Sequence, residues 1–207
     1  MANWWNRVVV PRLIGCCCAQ ANVMALRSHV VPQARGHVLE LGAGGGANFS
    51  LYDPGRVDRI EGIDPSPELI ALAHERCRNS ALHCTLCEGV AEQLPYPDHQ
   101  FDTVVSTFTL CSVQDPLRVL QEARRVLKPG GRLLFVEHGA SPDPGPARWQ
   151  HRIEPLWKRI AGNCHLTRDV QAELDASGFS IESTEATYLR GAPRWVGWVR
   201  WGVARPA

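Results

Sequence analysis

A run of small residues between two hydrophobic segments is the first place in the sequence where chemistry is expected. It extends from Leu39 to Asn48 with the letters LELGAGGGAN. Glycines have no β-carbon, so a ligand can approach the backbone of such a turn closely. An acid that follows about 20 residues later, as Asp64 does here, is suited to bind ribose hydroxyls. The spacing predicts a site for a cofactor that contains a nucleoside.

Glu40 separates two classes of cofactor that would both suit this turn. Gly42, Gly44 and Ala47 also satisfy the dinucleotide pattern G-x-G-x-x-A, in which a pyrophosphate lies at a helix N-terminus. A carboxylate at the end of the first strand would repel a pyrophosphate but attract an ammonium or a sulfonium group. We therefore expect S-adenosylmethionine (SAM), with a dinucleotide-binding protein and a non-catalytic SAM-binding protein as alternatives.

Two histidines are candidates for the base that a protonated methyl acceptor would need. His138 ends a predicted strand beside Glu137, which could orient its ring, although a histidine that only caps the strand end is the alternative. His165 is the second candidate, in a stretch where Thr167 could instead cap a helix. A thiol acceptor would need little help, because a few per cent of it is already thiolate near neutral pH.

Strand-length and helix-length segments alternate from Gly36 onward and must position these residues. The strands are predicted at 37–41, 58–63, 82–87, 101–107 and 131–137, and the helices at 46–52, 67–78 and 115–127. Such alternation is typical of an α/β domain with a mostly parallel sheet and helices on both faces. We expect a single Rossmann-like domain with a seven-stranded, mostly parallel sheet over 36–207. It follows an N-terminal helical lid over 1–35, which would exclude water from the site.

Residues that are typical of helix ends and of loops refine the predicted boundaries. Ser66 before Pro67 is typical of a helix start, and Lys128 to Gly131 (KPGG) of a helix end before a strand. The proline-rich stretch 141–146 is predicted to be a loop, followed by a covering helix over 147–162. The tail 178–205 alternates like strands, with its tryptophans in the core.

Further motifs give a family resemblance. Glu92 to Asp98 (EQLPYPD), Phe101 to Val105 (FDTVV) and the KPGG turn, together with the glycine turn and Asp64, resemble class I SAM-dependent methyltransferases. The resemblance implies that Asp64 holds the ribose, the glycine turn the methionine part, and the backbone at 90–91 the adenine. Val90 departs from the acidic or amide residue of many relatives, which leaves Glu92 as an adenine contact. The predicted cofactor site comprises Glu40, Gly42, Ala43, Gly44, Gly46, Asn48, Asp64, Pro65, Val90, Ala91, Glu92 and Thr107.

A narrower resemblance concerns the acceptor. Gly46 to Phe49, Leu110 to Val113, Glu137-His138 and Cys164 with Leu166 to Arg168 resemble the methyltransferase-like 7 thiol S-methyltransferases, over about residues 37–207. It implies S-methylation of a small thiol. Methylation of nitrogen, oxygen or carbon on a lipid, quinone or natural product is the alternative. The predicted acceptor site comprises Trp5, Cys111, Trp149, Trp157, Cys164 and Arg168.

Charge and hydropathy limit the partners. The 22 Lys and Arg residues nearly balance the 21 Asp and Glu residues, so a small-molecule partner is expected and a nucleic acid is not. The apolar run 8–18 is shorter than the roughly 20 residues of a membrane span, although Trp4 and Trp5 leave peripheral contact open. The oligomeric state is not predicted.

The chain has eight cysteines but no visible signal peptide, which favours reduced thiols in the cytoplasm. Cys84 and Cys87, with His83 nearby, could suggest a metal site. On a strand those two side chains would point to opposite faces, so no metal is predicted.

Overall fold

The computed structural model describes residues 20–207, with a seven-stranded sheet at the centre of this region. The helices are α1 (Ala21–Arg27), α2 (Pro67–Arg78), α3 (Pro116–Val126), α4 (Pro144–Ile160) and α5 (Val170–Ala176). The strands are β1 (Gly36–Leu41), β2 (Val57–Asp64), β3 (Cys84–Glu88), β4 (Phe101–Thr107), β5 (Leu127–His138), β6 (Phe179–Tyr188) and β7 (Trp198–Pro206).

The strands follow the order β3-β2-β1-β4-β5-β7-β6. Strands β1 to β5 are parallel, and β7 runs antiparallel between β5 and β6. The expected Rossmann-like α/β fold is confirmed. The order reverses between β1 and β4, and open α/β sheets bind ligands outside the carboxyl ends of their strands at such a point.

Two hydrophobic layers cover the faces of the sheet, as expected for a parallel sheet. Val38 and Ile60 lie in one layer, whereas Leu39 and Leu41 lie in the other. Successive side chains on a strand point to opposite faces, so β1 contributes to both layers. This burial fixes the ends of β1 and β4, which carry the candidate site.

Most predicted elements are present, with two corrections. The helix predicted at 46–52 is wrong: this segment contains only a 3-10 turn, Phe49–Leu51, because the chain leaves β1 through glycines with positive φ. The loop predicted at 141–146 is too long, since α4 begins at Pro144. Prolines fit the first turn of a helix, where their missing N–H has no partner to lose.

The helix cap predicted at Ser66 is confirmed. Its Oγ accepts a hydrogen bond from the backbone N–H of Leu69 at 3.3 Å, and Pro67 opens α2. Thr167 does not cap the later helix, because Asp169 accepts hydrogen bonds there from the N–H groups of Gln171 and Ala172.

The part of the N-terminal segment that the structure describes packs against the sheet. Leu26, Val30 and Val31 are buried in the core, and α1 is followed by a 3-10 turn over Val31–Gln33. The lid predicted over 1–35 otherwise lies outside the described residues. Among residues 20–207, no helix is long and apolar enough to span a membrane.

Two of the cysteines, which were all expected to be reduced, are joined to each other. Cys77 and Cys84 form a disulfide between α2 and β3. The expectation of reduced thiols is therefore wrong for this pair, and neither sulfur is available as a thiolate ligand.

Candidate active site

The predicted cofactor residues meet at the carboxyl edge of the sheet. The glycine turn follows β1. Asp64 ends β2 and Thr107 ends β4, and these two strands pair with β1 on either side. His138 ends β5, the next strand along. Residues that are far apart in sequence thus line one edge around the reversal between β1 and β4.

Asp64 fixes the glycine turn. Its Oδ2 accepts from the N–H of Gly44 and its Oδ1 from the N–H of Ser66, each at 2.9 Å. Burial raises the pKa of this carboxyl, and the two amides partly offset that effect. Each carboxylate oxygen can accept a second hydrogen bond, so Asp64 retains capacity for ribose hydroxyls.

The turn itself leaves space for a ligand at one glycine. Gly42, Gly44 and Gly46 all have positive φ, which only glycine adopts readily. A β-carbon at Gly42 would lie 2.4 Å from Thr109 Oγ1, so packing alone demands that glycine. At Gly44 a β-carbon would meet no described atom closer than the Gly42 oxygen at 3.9 Å. Open backbone at this position fits a nucleoside cofactor such as SAM.

Glu40 is fully buried beneath this turn and is held by neutral donors. Its Oε1 accepts from Asn48 Nδ2 at 2.8 Å and its Oε2 from the Tyr52 hydroxyl at 2.9 Å. Burial raises the pKa of Glu40 to about 7, although Tyr52, Arg27 and Asn48 each oppose that rise. A cationic ligand group nearby would favour the ionised form.

Arg27 joins the site without having been predicted. This buried guanidinium donates from Nη1 to Asn48 Oδ1 at 2.7 Å and to Thr107 Oγ1 at 2.5 Å. It thereby connects α1 to the segment after the glycine turn and to the end of β4. An arginine in a short helix usually faces solvent, so no local pattern pointed to this role.

The predicted adenine contacts lie after β3. Val90 is half exposed, at 49%, whereas Ala91 is buried. Glu92 Oε1 accepts from the N–H of Gln114 at 2.9 Å, which fastens the loop before α3. Pro65, after β2, precedes the Ser66 cap. The assignment of Val90, Ala91 and Glu92 to adenine stays a prediction.

His138 is buried, and both of its ring nitrogens have partners. Nε2 contacts the carbonyl oxygen of Val196, and Nδ1 lies 3.6 Å from the Cys164 sulfur. Burial lowers the pKa of the ring, but the contacts with Cys164 and the Val196 carbonyl outweigh it, so the pKa is raised overall. The contact with sulfur thus makes the imidazolium form of His138 more favourable than it is for a free imidazole.

Cys111 completes this group, which we call the Cys–Cys–His cluster (Cys111, His138 and Cys164). The neighbouring Cys164 side chain and burial raise the pKa of Cys111 well above its ordinary value. The Cys111 side chain lowers the pKa of Cys164 well below its ordinary value; burial opposes this, and His138 supports it. Of the two sulfurs, that of Cys164 contacts an imidazole nitrogen, so Cys164 is the better placed to be a thiolate.

Glu137 does not orient the His138 ring, contrary to expectation. Neighbouring residues on a strand point to opposite faces, and Glu137 Oε1 accepts from Ser106 Oγ at 2.7 Å and from the N–H of Thr109 at 3.2 Å. Thr109 Oγ1 in turn donates to the carbonyl of Leu41 at 2.9 Å. These bonds connect the end of β5 to the start of the glycine turn.

The other residues predicted around the acceptor are more dispersed. His165 Nδ1 pairs with Glu154 Oε1 at 3.3 Å, and burial lowers the pKa of the imidazole. Arg168 donates to the carbonyls of Leu110 and Val113, so it holds the loop after β4. Both residues flank the cluster rather than join it.

The predicted tryptophans fall into three different situations. Trp157 of α4 packs edge-to-face against Trp195, with ring centroids 5.8 Å apart. Trp149, on the same helix, is 55% exposed. Trp5 lies outside the described residues. Their contact with an acceptor stays a prediction.

Comparison with known proteins agrees with this geometry. A family model described as a methyltransferase domain matches residues 39–135. The thiol S-methyltransferase TMT1B of Rattus norvegicus is 40% identical over 147 residues, 69% of this chain and 59% of that protein. The chain thus spans about three fifths of that relative's length.

Other relatives share less of the chain. The phosphatidylethanolamine N-methyltransferase of Cereibacter sphaeroides is 41% identical over 113 residues, which is 54% of each chain. The crystal structure of YcgJ from Bacillus subtilis has a TM-score of 0.71 at 17% identity, covering 87% of this chain and 97% of that one. This last likeness concerns the fold. Together with the glycine turn, Asp64 and the strand order, these matches show that the chain belongs to the class I SAM-dependent methyltransferases.

Proposed function

We propose that the protein transfers a methyl group from SAM to the sulfur of a small-molecule thiol. The observation that carries this proposal is the Cys–Cys–His cluster at the carboxyl end of β5, one strand away from the Thr107 edge of the predicted SAM site. Sulfur and imidazole groups that favour a thiolate suit an acceptor of the same chemistry. The similarity to TMT1B supports the same acceptor class.

The residues of the chain divide the work between the two ligands. Asp64 would hold the ribose of SAM. Gly44 would hold the methionine backbone, and Glu40 would face the cationic part. SAM supplies a methyl group activated by a sulfonium charge. The chain's contribution is to align an acceptor sulfur with that group and to remove its proton, since orientation can supply much of the rate enhancement of a displacement reaction.

A second acceptor class is favoured by one relative. The Cereibacter protein is named for N-methylation of phosphatidylethanolamine, so nitrogen on a lipid is the strongest alternative to a thiol. An oxygen or carbon acceptor on a quinone or natural product, or SAM binding without catalysis, follows as further alternatives. We also propose that the partner is a small molecule and that the protein is located in the cytoplasm.

A mixed-acceptor experiment tests the proposed function. The full chain is incubated with SAM and a panel of alkyl thiols, amines, phosphatidylethanolamine vesicles and phenols, and products are identified by mass spectrometry. S-methyl products from thiols, with stoichiometric S-adenosylhomocysteine, are expected. Exclusive methylation of amines or lipids would overturn the thiol assignment, and no product with any acceptor, despite SAM binding, would favour a non-catalytic protein.

A further inference from the structure

His138 cannot be the group that touches the acceptor while its present contacts persist. The Val196 carbonyl can only accept, so Nε2 must carry a proton toward it. Nδ1 faces Cys164 at 3.6 Å. Both nitrogens are therefore committed within the protein, and the group next to the ring is the Cys164 sulfur.

Cys164 is the reachable member of the Cys–Cys–His cluster. Cys111 is buried, with 4% exposure, and its sulfur contacts the Phe108 carbonyl and Ser112 Oγ. Cys164 is only partly buried. An acceptor molecule at this edge of the sheet would meet the Cys164 sulfur before that of Cys111.

One donor contacts the Cys164 sulfur directly. His138 Nδ1 lies 3.6 Å from it, and Nε2 of the same ring is held by the Val196 carbonyl, so an imidazolium at His138 would donate from Nδ1 to this sulfur. The buried indole N–H of Trp157 has no hydrogen-bond partner among the described residues, and this side chain also lowers the pKa of Cys164. An adjacent imidazolium stabilises a thiolate, which is the form that reacts and accepts protons.

We propose that Cys164 is the general base that deprotonates an acceptor thiol, with His138 as its positioning residue. This inference rests on the proposed function and names the group that performs one of its steps. The acceptor S–H bond breaks, the proton passes to Cys164 Sγ, and the electron pair stays on the acceptor sulfur. That sulfur then bonds to the methyl carbon as its bond to the sulfonium breaks, and Cys164 returns the proton to water.

A thiolate is a chemically suitable base for a thiol, because the proton moves from one sulfur to another. A general base works best when its pKa lies near the working pH. The Cys111 side chain, against the cost of burial, lowers the pKa of Cys164 from that of a free thiol, and His138 beside the sulfur acts in the same direction. At neutral pH the base is therefore ionised to a greater extent than a free alkyl thiol, most of which is protonated.

Other ionisable groups surround the cluster and bear on its titration. They are Glu137 on β5, with a pKa of about 7, the His165–Glu154 pair, Arg168 and Lys158. Acidification protonates the thiolate, so the base is lost as pH falls. The methylation rate of an alkyl thiol should decline on the acidic side accordingly.

Alkylation by iodoacetamide tests the thiolate without any turnover. Modification of Cys164 is followed by peptide mass spectrometry from pH 5.5 to 9 in the full chain, with a short unstructured cysteine peptide as the control. The rate for the control peptide should rise up to the free-thiol pKa of about 8.5, whereas the Cys164 rate should level off at a lower pH. His138→Ala should move the Cys164 profile toward that of the control peptide. Parallel profiles for Cys164 and the control peptide in the wild type would overturn the inference.

Two acceptors of different acidity test the role as a base. Cys164→Ser should lower kcat by about 100-fold for an alkyl thiol, but should hardly change it for a nitro-substituted thiophenol, which is ionised at neutral pH. Cys87→Ser, outside the cluster, should behave as wild type with both. Equal losses with both acceptors would make Cys164 a structural residue.

Failure of the inference and failure of the proposed function are distinguishable. If the wild-type chain methylates neither thiol, the proposed function is wrong and the role as a base is lost with it. If it methylates both thiols but Cys164→Ser loses nothing with the alkyl thiol, only the inference is overturned. The alkylation profile reports the thiolate in either case.

Discussion

At the scale of single residues, the candidate site depends on carboxylates that the fold has buried. Glu40 and Glu137 are both inaccessible. Asn48 and Tyr52 donate to the two oxygens of Glu40. Ser106 and Thr109 both donate to Oε1 of Glu137, whose Oε2 has no hydrogen-bond partner among the described residues. Burial outweighs these bonds and raises both pKa values to about 7. Such groups reduce stability at neutral pH, and proteins retain strained or costly features mainly at functional sites.

The titration of Glu40 gives a signed prediction. The folded state binds this proton more tightly than the unfolded state, where the pKa is near 4.5. The contribution of Glu40 to the free energy of unfolding is therefore full below pH 4.5, falls by up to about 3 kcal/mol by pH 7, and is constant above. Glu40→Gln lacks this titration, and the Tyr52 hydroxyl can accept from the new amide.

Denaturant unfolding from pH 4.5 to 8 measures this difference. The stability of Glu40→Gln relative to wild type should increase as pH rises to about 7. Glu137 titrates in both proteins and cancels in the comparison. Curves that remain parallel would show that Glu40 ionises normally in the folded chain.

Asp64 gives a second prediction at this scale. Asp64→Asn keeps one carbonyl acceptor for the turn but loses the charge that would strengthen bonds to ribose hydroxyls. Charge-assisted bonds contribute about 1.5 to 3 kcal/mol, so SAM affinity measured by calorimetry should drop roughly 10- to 100-fold. Asp58→Asn, on the exposed start of the same strand, is the matched control and should bind SAM normally. A folded Asp64→Asn protein with unchanged affinity would refute the ribose assignment.

At the scale of elements, a substitution in the turn after β1 can show whether its effect comes from backbone strain alone or also from lost contact with the ligand. Gly44 and Gly130 both have positive φ, and neither would bring a β-carbon into close contact with described atoms. Alanine at either position should cost about 1 to 2 kcal/mol of stability from backbone strain alone. Only Gly44→Ala should also weaken SAM binding, by at least about tenfold, if the cofactor lies against that backbone.

Thermal unfolding and SAM calorimetry on both variants decide the matter. Similar losses in Tm with a loss of affinity in Gly44→Ala alone are expected. Equal SAM affinity in the two variants would place the cofactor away from this turn.

The same turn shows what the sequence could and could not predict. Short, nearly continuous apolar runs located the central strands, because burial on both faces of a parallel sheet requires them, and the Ser66 cap marked α2 correctly. The prediction of a helix at 46–52 was wrong because the glycine spacing indicates that a turn is present but does not indicate how long it is. Arg27 was missed because its partners, Asn48 and Thr107, reach it only through tertiary packing.

The acceptor side was predicted as separate residues rather than as a unit. Cys111, His138 and Cys164 were each expected near the acceptor, yet their mutual contacts bring together the end of β5 and two loops that sequence spacing does not join. The disulfide of Cys77 with Cys84 was missed for the same reason. Prediction was thus strongest where chemistry repeats along a strand and weakest where it depends on contacts across the fold.

At the scale of the whole molecule, the N-terminal segment divides into two parts with different expected roles. Leu26, Arg27 and Val30 are buried, and Arg27 joins the segment after the glycine turn to the end of β4 through its partners. Removing residues 1–30 would therefore leave Asn48 and Thr107 without a charged donor and open the core. Removing residues 1–19 takes away none of these contacts.

Two truncations follow from this division. The chain that begins at residue 20 should keep the Tm of the full protein within a few degrees, yet show a raised KM for the acceptor if the removed residues form part of a lid. The chain that begins at residue 31 should lose several kcal/mol, because deleting large buried side chains costs about 2 to 5 kcal/mol each. Thermal unfolding and steady-state kinetics on both chains separate the roles. If the chain that begins at residue 20 has an unchanged KM, the removed residues are not a lid. If its Tm falls sharply, residues 1–19 are part of the core.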